Sequence, residues 1–339
     1  MAKIKFGLIG YGYWGPNIAR LIDESDRVEL AYCADLLDNS LKQIKQKYPH
    51  TTTTKNYKAI LEDRSVSAVL IVTPTKTHYK LAKDCLLAKK HVFIEKPLTY
   101  SVKEAEELIK IASANDVLLS VGHVFLFNPA VKYIKKIIDK GELGVIRHFH
   151  FQRRNLGPVR KDVNVLYDLA PHDISMLLYF INQKPKTVIA TGESYLQNGI
   201  QDVISASIKF EDKIMANIIL SWIDPIKIRD ITIVGSKKML LFDDVSQSEK
   251  IKIFDKNANI IEATRNVPFG EYQIALHSGD VYSPDIENKE PLKEEINHFI
   301  DCIVEKKKPL NDGHNGLRVV KILEALQNSL DNNSQEVKI

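Results

Sequence analysis

Gly10, Gly12 and Gly15 fall in the spacing G-x-G-x-x-G, with an apolar run before them and Pro16 opening a helical stretch behind. Each glycine then has a task. Gly10 permits a tight turn, Gly12 lets backbone N–H groups approach a pyrophosphate, and Gly15 lets helix and strand pack closely. Tyr13 and Trp14 belong to the same loop. The anion would rest on the helix N-terminus, where unpaired N–H groups and the dipole favour negative charge. Asp35 ends the next strand-like run, near the spacing of roughly 20 residues at which a carboxylate meets a ribose diol. An acid there repels a 2′-phosphate and no Arg follows it closely, so NAD is favoured over NADP. The competing reading of Asp35 is a helix N-cap.

A second set of residues could move a proton. Lys96 closes the run Val92-Phe93-Ile94-Glu95-Lys96-Pro97. In an open parallel sheet, ligands bind outside the carboxyl ends of the strands, which would set Glu95 and Lys96 over a cleft. Taken alone, the same run reads as a strand ending in a surface ion pair. His172 follows Pro171, expected at a helix start, where the dipole favours the neutral imidazole that a base needs. Asp168, just upstream, would orient the ring or hold a substrate hydroxyl. Thr73, Pro74 and Thr75 with His78 form a polar loop suited to the cofactor's riboses, although His78 also reads as a plain helix-start residue. His123 and Asn128 lie where the chain leaves its first domain and could reach the cleft. Arg153 and Arg154 could grip a phosphate bidentately, or simply lie exposed on a strand.

The elements that must position these groups follow from periodicity. Strand-like runs at Lys3–Gly10, Val28–Ala34, Ala68–Val72, Val92–Ile94 and Val117–Val121 alternate with helical stretches. That rhythm marks βαβ units and a parallel sheet. After Gly122 it changes. Helix Pro129–Lys140, a long strand over Val145–Asn155 and a helix around His172–Phe180 precede runs at Thr187–Ser194, Val203–Phe210, Ile214–Trp222 and Ile228–Val234. Strands in succession without helices between them argue antiparallel pairing. The expected division is therefore residues 1–122 as a nucleotide-binding domain and residues 123–339 as a substrate-binding domain. In the latter, helices cover one face of an open, mostly antiparallel sheet. Val267–Asn288 reads as a long irregular loop, and Glu294–Glu305 and Gly316–Leu330 as closing amphipathic helices.

Composition bounds the reading. The 339 residues fit two domains, and 44% hydrophobic with 27% charged residues is ordinary for a globular protein. The net charge of +4 comes from dispersed lysines, which does not call for nucleic acid. Three well-separated cysteines fit a reducing cytoplasm and give no metal-ligand spacing. No signal-like segment is evident, and no apolar run reaches the roughly 18 residues of a membrane span. A cytoplasmic protein without a membrane or metal is expected.

The glycine loop, Glu95-Lys96-Pro97, Gly122-His123 and Asp168 with His172, in this order, resemble the Gfo/Idh/MocA oxidoreductases. The resemblance spans essentially the whole chain, including Glu290-Pro291-Leu292. It implies an N-terminal Rossmann domain, a nicotinamide cofactor and a C-terminal sheet whose open face makes a homodimer or homotetramer. Lys96 matches the family's catalytic lysine, His172 its active-site histidine, and Asp168 the acid four residues before it. Ala170-Pro171 departs from the pattern, since members often carry glycine there. The glycine loop with its flanks, Phe127-Asn128-Pro129-Ala130 and Asp162–Leu166 resemble members acting on nucleotide-linked sugars, of the UDP-N-acetylglucosamine 3-dehydrogenase type. The implied reaction passes a hydride from a sugar secondary alcohol to NAD, with Lys96 or His172 taking the hydroxyl proton. Inositols or simple sugars, glycoside cleavage through transient oxidation, and a non-catalytic NAD-binding regulator are the alternatives.

Overall fold

The computed structural model describes residues 3–181, 183–260 and 274–339. The chain divides into two compact units, one made of Met1–Phe127 with Lys289–Glu324, the other of Asn128–Asn288 with Ala325–Ile339.

In the first unit six strands run parallel: β1 (Ile4–Ile9), β2 (Val28–Ala34), β3 (Thr52–Thr54), β4 (Val66–Ile71), β5 (His91–Glu95) and β6 (Leu119–Gly122). Their order is β3-β2-β1-β4-β5-β6. Between them run α1 (Gly15–Asp23), α2 (Asp38–Lys47), α3 (Lys58–Glu62), α4 (His78–Leu87) and α5 (Val102–Ala114). Both sheet faces are covered, so β1 and β4 are apolar on successive residues rather than on alternate ones. The strand order reverses between β1 and β4, and at that reversal the carboxyl ends open a crevice for a ligand. Short β3, from Thr52-Thr53-Thr54, was not expected. Three residues are too few to show a period.

The second unit opens with α6 (Pro129–Asp139), β7 (Ile146–Leu156) and α7 (Val165–Phe180). There follow β8 (Pro185–Glu193), β9 (Val203–Phe210), β10 (Met215–Ser221), β11 (Ile223–Gly235), β12 (Met239–Asp243), β13 (Ile251–Ile260), β14 (Ile274–Tyr282) and β15 (Val337–Lys338). The nine-stranded order is β14-β13-β12-β11-β7-β10-β9-β8-β15, antiparallel throughout except for the pair β7–β10. Alternation along β7 turns Phe149, Phe151 and Arg153 to the buried face. There Phe149 stacks on Phe180 of α7, with ring centroids 6.2 Å apart.

Three expectations are corrected. The segment Val267–Asn288 is no single loop: Ile274–Tyr282 is β14, while 267–273 lie outside the described residues. Helix α7 begins at Val165, because Asn164 caps it by accepting from Tyr167 N–H at 3.2 Å. Pro171 therefore lies inside the helix, where it has no N–H to give to the helical ladder. His172 is then not in the first turn, and the dipole argument for its neutrality does not hold. Burial of Val165, Leu166, Ala170, Ile174, Leu177 and Leu178 carries the helix through the proline.

The third correction concerns the division of the chain, expected at residue 122. After β14 the chain returns to the first unit through α8 (Pro291–Glu305) and the start of α9 (Gly313–Asp331). Phe299 of α8 meets Phe6 at 6.1 Å and Phe93 at 5.8 Å between ring centroids, completing the core on that side of the parallel sheet. Among the described residues no helix is long and apolar enough to cross a membrane.

Candidate active site

The glycine loop turns out of β1 under tight steric control. Gly10 has φ +98°, and a Cβ there would stand 2.4 Å from the Val72 carbonyl oxygen. A Cβ on Gly15 would stand 2.6 Å from the Gly10 carbonyl oxygen. Gly12 differs, because nothing lies within 4 Å of its imagined Cβ, so its backbone faces open space. A pyrophosphate fits that cradle at the start of α1. Tyr13 and Trp14 project from the loop, largely exposed and edge to face at 5.9 Å.

Asp35 follows β2 and does not cap α2. Its Oδ2 accepts from Tyr11 N–H at 2.7 Å and its Oδ1 from Leu37 N–H at 2.8 Å, which ties the glycine loop to the next turn. A cavity of about 580 Å³ opens beside it, lined by Gly10, Gly12, Asp35, Thr73 and Pro74 among others. Leu36 and Leu37, 81% and 66% exposed, line it as well. So do Lys55, Lys76 and Lys80. Lys76 belongs to the polar loop Thr73–His78 expected to meet the cofactor; the other four were not anticipated, although two leucines directly after a strand-ending Asp were a readable signal of an apolar ledge.

Thr75 and His78 are buried. The ring of His78 spans two carbonyl oxygens, Nδ1 at 2.9 Å from Pro97 and Nε2 at 2.8 Å from Thr73. It ties the loop after β4 to the segment that follows Lys96 and does not line the cavity.

Glu95 is the last residue of β5 and pairs with Gly122 of β6. Burial pushes its carboxyl up to about 7, against the opposing pull of the Lys96 ammonium. Lys96 follows at the carboxyl edge of the sheet, joined to Pro97 by a cis peptide bond. His123, just past β6, is fully buried rather than turned to solvent. Burial first, and then repulsion from Lys96, hold its imidazole down to about 4, so it is neutral. Its Nδ1–H donates to Asn315 Oδ1 at 2.7 Å. That leaves a bare acceptor at Nε2, buried without a hydrogen-bond partner.

In the second unit, Asp168 stands in the first turn of α7, one turn before His172. Its Oδ1 accepts from Arg160 Nη1 at 3.2 Å and its Oδ2 from Trp222 Nε1 at 3.1 Å. Arg160 also clasps Asp162 at 3.0 and 2.6 Å. The carboxylate beside His172 is thus fixed from two sides. Arg160 and Trp222 were missed by sequence reading, since each is distant in sequence from the group it holds or isolated in a loop.

Two expected substrate contacts have other tasks. Asn128 caps α6, its Oδ1 accepting from Ala130 N–H at 2.9 Å. Arg153 is buried and bonds Asp173 through Nε at 3.1 Å and Nη2 at 2.8 Å. Its guanidinium serves the core, not a phosphate on the surface. Arg154, on the opposite face of β7, meets Asp224 at 2.8 Å and keeps about a quarter of its side chain exposed.

Comparison with known proteins agrees with this arrangement. Residues 4–123 match the family model described as "Oxidoreductase family, NAD-binding Rossmann fold", and residues 131–241 match the GFO/IDH/MocA C-terminal domain. An uncharacterised oxidoreductase of Bacillus subtilis, YrbE, is 23% identical over 97% of this chain and 94% of its own length. The UDP-N-acetylglucosamine 3-dehydrogenase of Acidithiobacillus ferrooxidans is 27% identical over 75% of this chain and 76% of its own. A solved structure of that enzyme superposes with a TM-score of 0.83, covering 99% of this chain and 100% of the other at 23% identity. A scyllo-inositol dehydrogenase from Lactobacillus casei, solved with NAD(H) and scyllo-inositol, gives a TM-score of 0.80 over 99% of both chains at 20% identity. Paired with the glycine cradle, the edge lysine and the fixed Asp168, these matches establish that the chain belongs to the GFO/IDH/MocA family of NAD-binding oxidoreductases.

Proposed function

We propose that this protein oxidises a secondary alcohol of a nucleotide-linked sugar, with C3 of a UDP-linked N-acetylhexosamine as the reacting position. The observation that carries the dehydrogenase reading is the position of Lys96. It lies just past the end of β5, at the carboxyl edge that also bears the glycine loop and Thr73-Pro74. NAD, when bound, supplies the hydride acceptor.

The chain's own groups do the rest. Backbone N–H groups around Gly12 and the first turn of α1 hold the pyrophosphate. Asp35 takes the ribose diol, because each of its oxygens has a second lone pair beyond the one given to Tyr11 or Leu37. The two leucines beside it cover the adenine. Lys96 polarises the substrate hydroxyl or takes its proton, and His172, with Asp168 fixed one turn before it, shares that proton or passes it outward. The nucleotide-sugar assignment is supported by the 27% identical relative and by the sequence likeness around Phe127–Ala130 and Asp162–Leu166. Assembly as a homodimer or homotetramer through the helix-free face of the nine-stranded sheet belongs to the same reading.

A substrate panel followed by NADH absorbance tests it. UDP-N-acetylglucosamine and related UDP-sugars should react, while free N-acetylglucosamine and inositols should be poor. Equal reaction of a free sugar or an inositol would overturn the nucleotide-sugar assignment and leave the dehydrogenase standing.

A further inference from the structure

Glu295 is an acid in an apolar place. On α8 it sits among Leu292, Ile296 and Phe299, all buried, and is itself 1% exposed. One carboxyl oxygen accepts from Asn311 Nδ2 at 3.0 Å, and the other is buried with no hydrogen-bond partner. Asn311 is itself pinned, accepting from Ser120 Oγ at 3.0 Å and donating to the Val121 carbonyl at 2.6 Å. An ionised carboxylate held this way is costly, so the site calls for a proton or a further donor.

The fold brings Glu95 to it. Strand alternation puts Phe93 and Glu95 on one face of β5. One helical turn puts Glu295 and Phe299 on one face of α8. Phe93 rests on Phe299, and Asn311 bonds both Glu295 and the Val121 carbonyl, next to the Gly122 that lies against the Glu95 carboxyl, so the two acids are near neighbours and Glu295 feels the Glu95 charge. Gly122 makes the room, since a Cβ there would stand 3.2 Å from the Glu95 carboxyl. Burial raises both acids, Glu95 to about 7 and Glu295 well above the carboxylate range. The other charged or titratable groups nearby are Lys96, neutral His123, His298 on α8, which accepts from Leu310 N–H, and Asp312, paired with Lys308. On α1, Arg20 is paired with Glu24 and Glu290 at the surface.

We propose that Glu95 and Glu295 hold one proton between them at neutral pH, and that Glu295 acts through Glu95 as a positioning residue for Lys96. Two neighbouring carboxyls resist ionising together and titrate as one unit. With the proton in place, a single negative charge faces Lys96. When it leaves at alkaline pH, the second charge holds Lys96 as ammonium and opposes its taking a hydroxyl proton. This functional half rests on the role given to Lys96 above; the shared proton does not.

The test uses the full-length protein and Glu295→Gln, which keeps the side chain's shape and its bond from Asn311. Infrared spectra of 13C-glutamate-labelled protein at about pH 8.5, above the Glu95 titration, should show the C=O stretch of a buried protonated carboxyl, lost in Glu295→Gln. The thermal midpoint of the variant should rise relative to the parent as pH goes from about 5 to about 8, since an acid with a raised folded pKa weakens the fold over that range. The limb of kcat/KM that rises with pH should move down by at least about half a pH unit. No protonated band in the parent, or a band retained in the variant, overturns the shared proton. An unmoved limb where the band is lost and Lys96→Ala is inactive overturns the tuning of Lys96. An active Lys96→Ala instead removes the reading of Lys96, and the infrared and stability results still decide the shared proton. Should the variant not fold, titration of the parent's band decides alone.

Discussion

Asp35 serves two ends with one carboxylate: it braces the glycine loop through Tyr11 and remains able to accept from a ribose hydroxyl. A 2′-phosphate would meet that charge directly, although Lys55, Lys76 and Lys80 line the same cavity and work the other way. Lys55 is already paired with Asp38 at 2.8 Å, which weakens its claim on a phosphate. NAD should therefore bind several-fold more tightly than NADP, and titration of both dinucleotides checks this. Lys96→Ala should leave NAD affinity nearly intact and lower turnover by at least about 100-fold, the scale of a lost acid–base group. Steady-state kinetics beside a binding isotherm separate those two effects. Arg153 and Arg154 are adjacent in sequence but differ in kind. Arg153→Ala strands Asp173 in the core and should cost about 3–5 kcal/mol in denaturant unfolding. A loss below about 1 kcal/mol would mean that the buried pair contributes little.

At the scale of elements, α7 depends on its first residues more than on its proline. Asn164 caps it and also donates to Gln201 and Gln327, at 3.0 and 2.8 Å. Asn164→Ala should lower stability by about 1–2 kcal/mol, at the upper end for a lost cap. It should also lower turnover, because the turn that holds Asp168 would loosen; circular dichroism melts and kinetics together would show both. The parallel sheet was legible in the sequence because β1, β4 and β5 are buried runs bounded by Gly10, Thr73 and Lys96. The start of α7 was not, since Pro171 imitates a helix beginning and the Asn164 cap seven residues earlier carries no apolar signal. Arg153 was misjudged for a different reason. Alternation gives the two faces of β7, but which face is buried depends on where α7 lies.

On the scale of the whole molecule, two buried groups give opposite responses to pH. His123 is depressed from 6.5 to about 4, so the stability it contributes is present above 6.5 and lost as pH falls towards 4. Glu95 is raised from 4.5 to about 7, so its contribution is present below 4.5 and lost as pH rises towards 7. The two slopes oppose each other across the shared window. Replacing His123 with Asn should unmask a fall in stability between pH 4.5 and 7 carried by Glu95 and Glu295 together, visible in thermal melts. A flat profile in that variant would mean that both acids ionise as they do in water. The return of α8 to the first unit bears on how the protein is made. Phe6 and Phe93 await Phe299, which leaves the ribosome only after all of residues 128–288. At roughly 5–20 residues per second, translation leaves the part of the nucleotide-binding sheet's face next to Phe299, beyond what α1 and α2 cover, open for about 10–30 seconds. During synthesis the apolar surface must be shielded by a chaperone or by provisional contacts, so the second unit has the time to fold before the first can finish.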